Sequence, residues 1–311
     1  METPVYLFTG LLESGKTTLI QEIVNEEEFL DPGKTLLILC EEGETEFSPE
    51  FLQNNDIELI SIDDEDALTP EFWKGLETQH QPAQIMVEYN GMWDPEGMFD
   101  LPEDWFIGGI YSTVNAETAE LYMANMRKTF MDPLRYSNLI IFNRCDDNTD
   151  RMKFRRNLKA LNPSVQVAFE RKDGTMFQNE TEEMPFDYSG DVIELEDMDY
   201  GLWYLDAMDH PDRYMGKEIR FTARFCASAK PGESYFVPGR HVMTCCEDDI
   251  QFLGYVCYFD RTPEFKHEDW VKVSVKYFYG ACDLYDEDGP ILHLVSIEAS
   301  EQPEQELVTF S

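Results

Sequence analysis

Basic residues are scarce in this sequence. Its 311 residues include 24 Lys+Arg against 63 Asp+Glu, a formal net charge of −39. Such a charge repels phosphate backbones and anionic lipid headgroups alike. Neither nucleic acid nor a membrane surface is therefore expected as a main partner. Long apolar runs are also missing, since none approaches the roughly 18–20 residues of a membrane span. The start, Met-Glu-Thr-Pro, has neither the basic residues nor the apolar core of a signal peptide. Disulfide arithmetic fails too: seven scattered cysteines, an odd number, suit a reducing compartment better than a framework of bridges. There is no internal repeat and no low-complexity tract. The expectation is a cytoplasmic protein.

What is present suffices to fold. Hydrophobic residues make up 42% and aromatics 13% of the chain, enough for packed cores despite the charge. The length exceeds what one core usually covers, which predicts two domains. In the first half, β-prone runs at 5–9, 35–40, 57–62, 84–88, 107–114, 138–143 and 165–169 alternate with helical patterns. The clearest of those patterns are 16–25, 116–130 and 151–161. That alternation predicts an α/β domain with a mostly parallel sheet and flanking helices over 1–177. The stretch 178–214 opens acidic and weakly periodic, and reads as a linker. Over 215–311, short β-prone runs separated by Pro, Gly and Asp predict a small all-β barrel of the oligonucleotide/oligosaccharide-binding type.

Gly10-Leu-Leu-Glu-Ser14-Gly15-Lys16-Thr17 satisfies G-x-x-x-x-G-K-[ST] between a predicted strand and a predicted helix. Gly10 and Gly15 allow the tight turn that aims backbone amides at phosphates, and the following helix adds its dipole. Lys16 is expected on the β- and γ-phosphates and Thr17 on Mg²⁺, with Ser14 and Thr18 as further phosphate-side contacts. Glu13 is out of place, because a carboxylate inside a phosphate cradle is unfavourable unless it points away or meets a cation.

A second element closes the strand at 139–143: Asn143-Arg144-Cys145-Asp146 is an N-K-x-D-like tetrad with Arg in the Lys position. The Asp146 carboxylate can accept from guanine's N1–H and exocyclic amine, which adenine does not offer in that arrangement. Arg144 can stack its planar head on the base. The competing reading makes Asp146 the cap of the helix that begins near Thr149.

With both elements in place, residues 1 to about 170 resemble the CobW-type GTPases, cytosolic proteins associated with metal delivery. The family's T-G-F-L-G-[AS]-G-K-T-T-L is matched by Thr9–Leu19, its N-E-F-G-E by Cys40-Glu41-Glu42-Gly43-Glu44, and its E-T-S-G-x-x-D-P by Glu88-Tyr-Asn-Gly91-Met-Trp-Asp94-Pro95. The resemblance implies that Glu41 and Glu88 sit beside Mg²⁺ and the attacking water, and that Gly91 meets the γ-phosphate. The family's C-x-C-C metal motif is absent, with Leu59–Asp66 in its place; Asp63–Asp66 reads as a solvated acidic turn. From Gly216 to Ile291 the chain resembles the C-terminal domain of an uncharacterised bacterial family of the YcgQ type, which keeps company with metal-handling systems.

That second part carries the vicinal pair Cys245-Cys246. Adjacent residues on a strand face opposite ways, whereas His241 and Cys245 share a face. Cys226 or Cys257 from neighbouring strands could complete a Cys/His zinc site. The alternative is that these cysteines are small apolar core residues. His80, His210, His267 and His293 show no spacing pattern. Three functions follow as alternatives. The leading one is a Mg²⁺-dependent GTP hydrolase of low turnover, its GTP/GDP state governing the β-domain in zinc handling for a metal-requiring client protein. The second is an ATP-using P-loop enzyme, and the third a nucleotide-gated binding module without turnover.

Overall fold

The computed structural model describes residues 3–26, 29–99, 101–178, 184–227, 234–243, 250–261, 263–285 and 287–308. The chain divides into two compact units, residues 1–151 with 164–179 and residues 152–163 with 180–311.

In the first unit the order is β1 (Thr3–Thr9), α1 (Lys16–Val24), β2 (Thr35–Leu39), α2 (Pro49–Asn54), β3 (Ile57–Ser61), α3 (Pro70–His80), β4 (Gln84–Glu88), β5 (Trp105–Asn115), α4 (Ala116–Asn125), α5 (Arg127–Met131), β6 (Leu139–Cys145) and β7 (Gln166–Arg171). Seven strands form one parallel sheet in the order β3-β2-β4-β1-β5-β6-β7. β1 is central because both its faces are apolar, as a strand covered on two sides requires. Val5 and Leu7 enter one layer with Leu36, Ile85 and Trp73, and Phe8 enters the other with Ile20, Leu37 and Met86. A parallel sheet sends all its carboxyl ends to one edge, so the loops after β1, β2, β4 and β6 gather there. The phosphate loop follows β1 at that edge.

Helices α2 and α3 were not singled out by periodicity, yet each begins at a legible signal. Ser48 Oγ accepts from Phe51 N and Thr69 Oγ1 from Phe72 N, with Pro at the next position, the preferred opening of a helix. The helix expected over 116–130 is broken at Met126 (φ −146°) into α4 and α5.

In the second unit, α6 (Arg151–Leu161) is followed by β8 (Val192–Glu194), α7 (Tyr200–Asp209), β9 (Glu218–Ala227), β10 (Tyr235–Met243), β11 (Ile250–Gly254), β12 (Val256–Tyr258), β13 (Trp270–Gly280) and β14 (Gly289–Ala299). The ladders β9–β10, β10–β12, β12–β14, β14–β13 and β13–β9 close a ring, parallel only at β12–β14. This is the small five-stranded barrel expected from the sequence. β8 and β11 extend it beside β9 and β10.

The linker expected over 178–214 is corrected by the structure. β8 and α7 lie inside it, and Tyr200, Trp203 and Tyr204 belong to the core of the second unit. α7 reads Tyr-Gly-Leu-Trp-Tyr-Leu-Asp-Ala-Met-Asp, apolar on nearly every side, the pattern of a buried helix rather than an amphipathic one. Trp203 packs on Phe221 and Tyr255, Tyr200 Oη donates to Leu253 O at 2.9 Å, and Tyr277 Oη donates to Ala207 O at 2.5 Å. Likewise α6, read as part of the first domain, counts with the second unit, where Ala160 joins its core. Trp203→Ala is therefore expected to destabilise the second unit by about 3–5 kcal/mol. Chemical denaturation monitored on this unit checks it, and a cost below about 0.5 kcal/mol, normal for an exposed segment, would restore the linker.

Candidate functional site

The site grows from the turn between β1 and α1. Gly15 has φ 105°, a left-handed backbone that L side chains rarely adopt, and it ends the loop where α1 begins. Gly91, after β4, lies across the loop so closely that a Cβ there would meet Gly10 O at 2.2 Å. Ser14 Oγ is buried against Thr113 Oγ1 at 2.8 Å, which ties the loop to β5.

Lys16 is buried. Its ammonium donates to Gly10 O at 2.8 Å and Leu11 O at 3.2 Å, and forms an ion pair with Glu41. Glu41 follows β2, and Glu88 is the last residue of β4. Thr17 Oγ1 donates to Glu88 Oε1 at 2.7 Å, while Glu88 Oε2 is buried with no partner. Burial, opposed by the Thr17 hydrogen bond, pushes the Glu88 carboxyl up to about 7. An orphaned carboxylate oxygen beside a threonine hydroxyl is an incomplete set of hard oxygen donors.

Glu13 lines the same cleft as Lys16 and Thr17. Its Oε1 accepts from Glu44 N at 2.7 Å, which fastens the loop after β2 to the phosphate loop. Glu13 (φ 60°) and Arg144 (φ 55°) are both left-handed, and Arg144 Nη1 donates to Glu13 O at 3.0 Å. Asn143 Nδ2 donates to Ser14 O at 2.6 Å. Two bonds thus lace the carboxyl end of β6 to the phosphate loop. Asp146 is exposed, and its Oδ1 accepts from Asn148 N at 2.8 Å and the Thr149 hydroxyl at 3.4 Å. Asp146 thus holds a turn at 146–149 that precedes α6, which itself begins at Arg151, and Oδ2 is left outside that turn.

Gly15, Lys16, Thr17, Thr18, Glu41, Glu88 and Arg144 line this cleft together with Glu13. Asn143 and Asp146 stand outside that lining. The zinc residues expected in the β-domain are not assembled the same way. Cys245 and Cys246 fall outside the described residues. His241, on β10, sets its ring edge-on to Phe252 at 5.3 Å. Cys257 is fully buried, a core residue whose thiol burial pushes up. Asp63–Asp66 forms the expected turn, with Asp64 Oδ1 accepting from Asp66 N.

A glycine-rich turn at the carboxyl edge of a parallel sheet, holding a buried lysine and a threonine–carboxylate pair, defines a P-loop nucleotide-binding protein. The chain belongs to the CobW/HypB/UreG family, a P-loop GTPase family: residues 4–169 match its nucleotide-binding domain. Residues 172–309 match the DUF1980 C-terminal domain. Among solved structures, the Zn(II)-bound YjiA GTPase of E. coli is 16% identical, with 87% of this chain and 92% of that chain covered and a TM-score of 0.44. HypB of Helicobacter pylori in complex with nickel is 9% identical over 55% of this chain and 80% of that one, with a TM-score of 0.37. The mitochondrial single-stranded DNA-binding protein Rim1 of S. cerevisiae is 11% identical over 29% of this chain and 99% of its own, with a TM-score of 0.21. No protein of curated function matches the chain. Among the described residues, no helix is long and apolar enough to cross a membrane.

Proposed function

We propose that this chain binds GTP and GDP with Mg²⁺ and hydrolyses GTP slowly, and that this turnover serves zinc handling for a metal-requiring client. The observation that carries the reading is the pair of donor sets gathered at the start of α1, Lys16 with Glu41 and Thr17 with Glu88. The Glu41 carboxylate pairs with the ammonium that a phosphate would claim. Nucleotide entry would exchange one anion for another on Lys16, releasing Glu41 to hold or deprotonate a water near the terminal phosphate. Thr17 and Glu88, with its orphaned oxygen, fit Mg²⁺, which prefers oxygen ligands and keeps several of its waters. When bound, the ion would neutralise phosphate charge. Lys16 and the loop amides would stabilise the charge that develops as the γ-phosphoryl group departs.

Base choice is assigned to Asp146. GDP should bind at least about tenfold more tightly than ADP, the loss expected when a carboxylate meets a base with no matching donors. Asp146→Asn should erase most of that preference and leave phosphate contacts alone. Competition of GDP and ADP against a fluorescent nucleotide reads this directly. Equal affinities in the unmutated chain would remove the guanine assignment. They would favour the ATP reading, in which Asp146 serves only the turn its Oδ1 already holds.

A further inference from the structure

We propose that Cys226, His267 and Glu268 form an exchangeable zinc site in the second unit. Among the described residues, this is the one group of three candidate ligating side chains whose donor atoms all lie within 4.8 Å of one another. Cys226 Sγ lies 3.5 Å from Glu268 Oε1, and His267 Nε2 lies 3.6 Å from the same oxygen. Tetrahedral zinc with bonds of about 2.0–2.3 Å sets its ligands roughly 3.3–3.8 Å apart. Both of these edges fall in that range.

The backbone beneath the group is fastened. Cys226 lies near the end of β9, on the same outward face as Arg224. The segment before β13 is clamped to that strand. Phe225 N donates to Asp269 O at 2.9 Å, Glu268 N donates to Phe225 O at 2.9 Å, and Arg224 Nη1 donates to Glu268 O at 2.7 Å. Residues 41 and 42 positions apart in sequence are thus held side by side by main-chain bonds, which orders the donors in advance. The carboxylate is divided in its contacts: Oε2 lies 3.7 Å from Arg224 Nε, while Oε1 faces the thiol and the imidazole.

The chemistry of the donors selects the metal. Thiolate and imidazole favour zinc and other borderline ions over Mg²⁺ or Ca²⁺, and the carboxylate is compatible with zinc. The Cys226 thiol donates to Glu268 Oε1 at 3.5 Å. Zinc would take the place of that proton, which leaves to solvent. Three protein ligands leave the fourth position open, and the His267 side chain is 62% exposed. An incoming ligand from water or from a client could reach the ion, which suits a site that loads and unloads.

The proposal deepens the metal-handling part of the proposed function. It rests on that reading for the use of the zinc, not for its binding. The test uses the full chain with Cys245 and Cys246 both changed to Ser, so that the vicinal pair cannot contribute. Cobalt(II) titration should give one equivalent with a thiolate charge-transfer band, and Cys226→Ser in that background should abolish the band. Zinc competition against a chromophoric chelator should show His267→Ala and Glu268→Gln each weakening binding on the order of a hundredfold or more, above the loss typical of removing an outer-shell partner. His267 is exposed, and Glu268→Gln keeps the shape of a half-buried side chain, so an unchanged circular-dichroism melt is expected and separates a lost ligand from a folding defect. Loss of all zinc on changing Cys245 and Cys246, or full zinc affinity in both the His267 and Glu268 variants, would overturn the site. GDP binding with no zinc bound would sink this proposal alone, and zinc binding with no guanine nucleotide bound would sink the nucleotide reading alone.

Discussion

Lys16→Ala is expected to lower guanine-nucleotide affinity by two to three orders of magnitude. The ammonium is 3% exposed and is the cation paired with Glu41, whose side chain is 10% exposed. Removing it deletes the phosphate contact and also leaves Glu41 as an uncompensated buried carboxylate facing the phosphates. Truncating one partner of a buried, hydrogen-bonded charge contact costs about 2–5 kcal/mol in binding, which corresponds to about one and a half to three and a half decades in Kd. Equilibrium binding of a fluorescent GDP measures the loss. A melt of the nucleotide-free variant separates weakened binding from a damaged fold. Wild-type affinity in a folded Lys16→Ala protein would mean that the nucleotide sits elsewhere. GTP hydrolysis at the wild-type rate would assign the activity to another site or a contaminant.

Glu88→Gln carries the second large effect, and its sign depends on pH. Burial raises the Glu88 carboxyl from its ordinary 4.5 to about 7. A carboxyl raised in the fold retains its proton where the unfolded chain has lost it. Its contribution is therefore fully favourable below about 4.5 and is lost as pH rises towards 7. At pH 8, in the absence of metal and nucleotide, ionised Glu88 costs on the order of 3 kcal/mol. Glutamine mimics the protonated carboxyl, since its oxygen can still accept from Thr17 and its amide takes the position already lacking a partner. The variant should then melt about 5–10 °C above the unmutated protein at pH 8, and the gap should close by pH 5. With Mg²⁺ present the order of merit reverses for chemistry: Glu88→Gln should still bind GTP and release phosphate at least about tenfold more slowly, having lost a charged oxygen ligand. Thermal melts at the two pH values, with chelator, and a phosphate-release assay check both halves. A variant less stable than wild type at pH 8 would contradict the buried-charge account.

These two residues differ in how far the sequence reveals them. Lys16 is legible from the glycine spacing alone, because a phosphate loop is a local device of eight consecutive residues between a strand and a helix. Glu88 was reached only through the family resemblance, and nothing local marks its carboxyl as buried or one of its oxygens as orphaned. The sequence marks Glu13 as a misfit in a phosphate loop but says nothing of its partner. Its destination at Glu44 N, 31 positions away, needed the fold. Asp146 drew two competing readings because one carboxylate can serve both a turn and a base. The structure realises the turn through Oδ1 and leaves the base to experiment.

By itself the sequence determined the parallel sheet, the phosphate loop at its carboxyl edge and the small barrel. Each is written in short-range patterns: contiguous apolar runs, glycine at fixed offsets, and turn residues between β-prone segments. Only the tertiary structure decided that Lys16 pairs with Glu41, that α7 belongs to the core of the second unit rather than a linker, and that Cys226 meets His267 and Glu268. A helix that is apolar on nearly every side has no clear amphipathic period to betray which core receives it. An unremarkable histidine becomes a candidate ligand only when antiparallel pairing of β9 with β13 brings the segment before β13 onto the strand that carries the thiol. Burial and donor geometry depend on which distant strands close around a side chain, and that information is not local to any stretch of the chain.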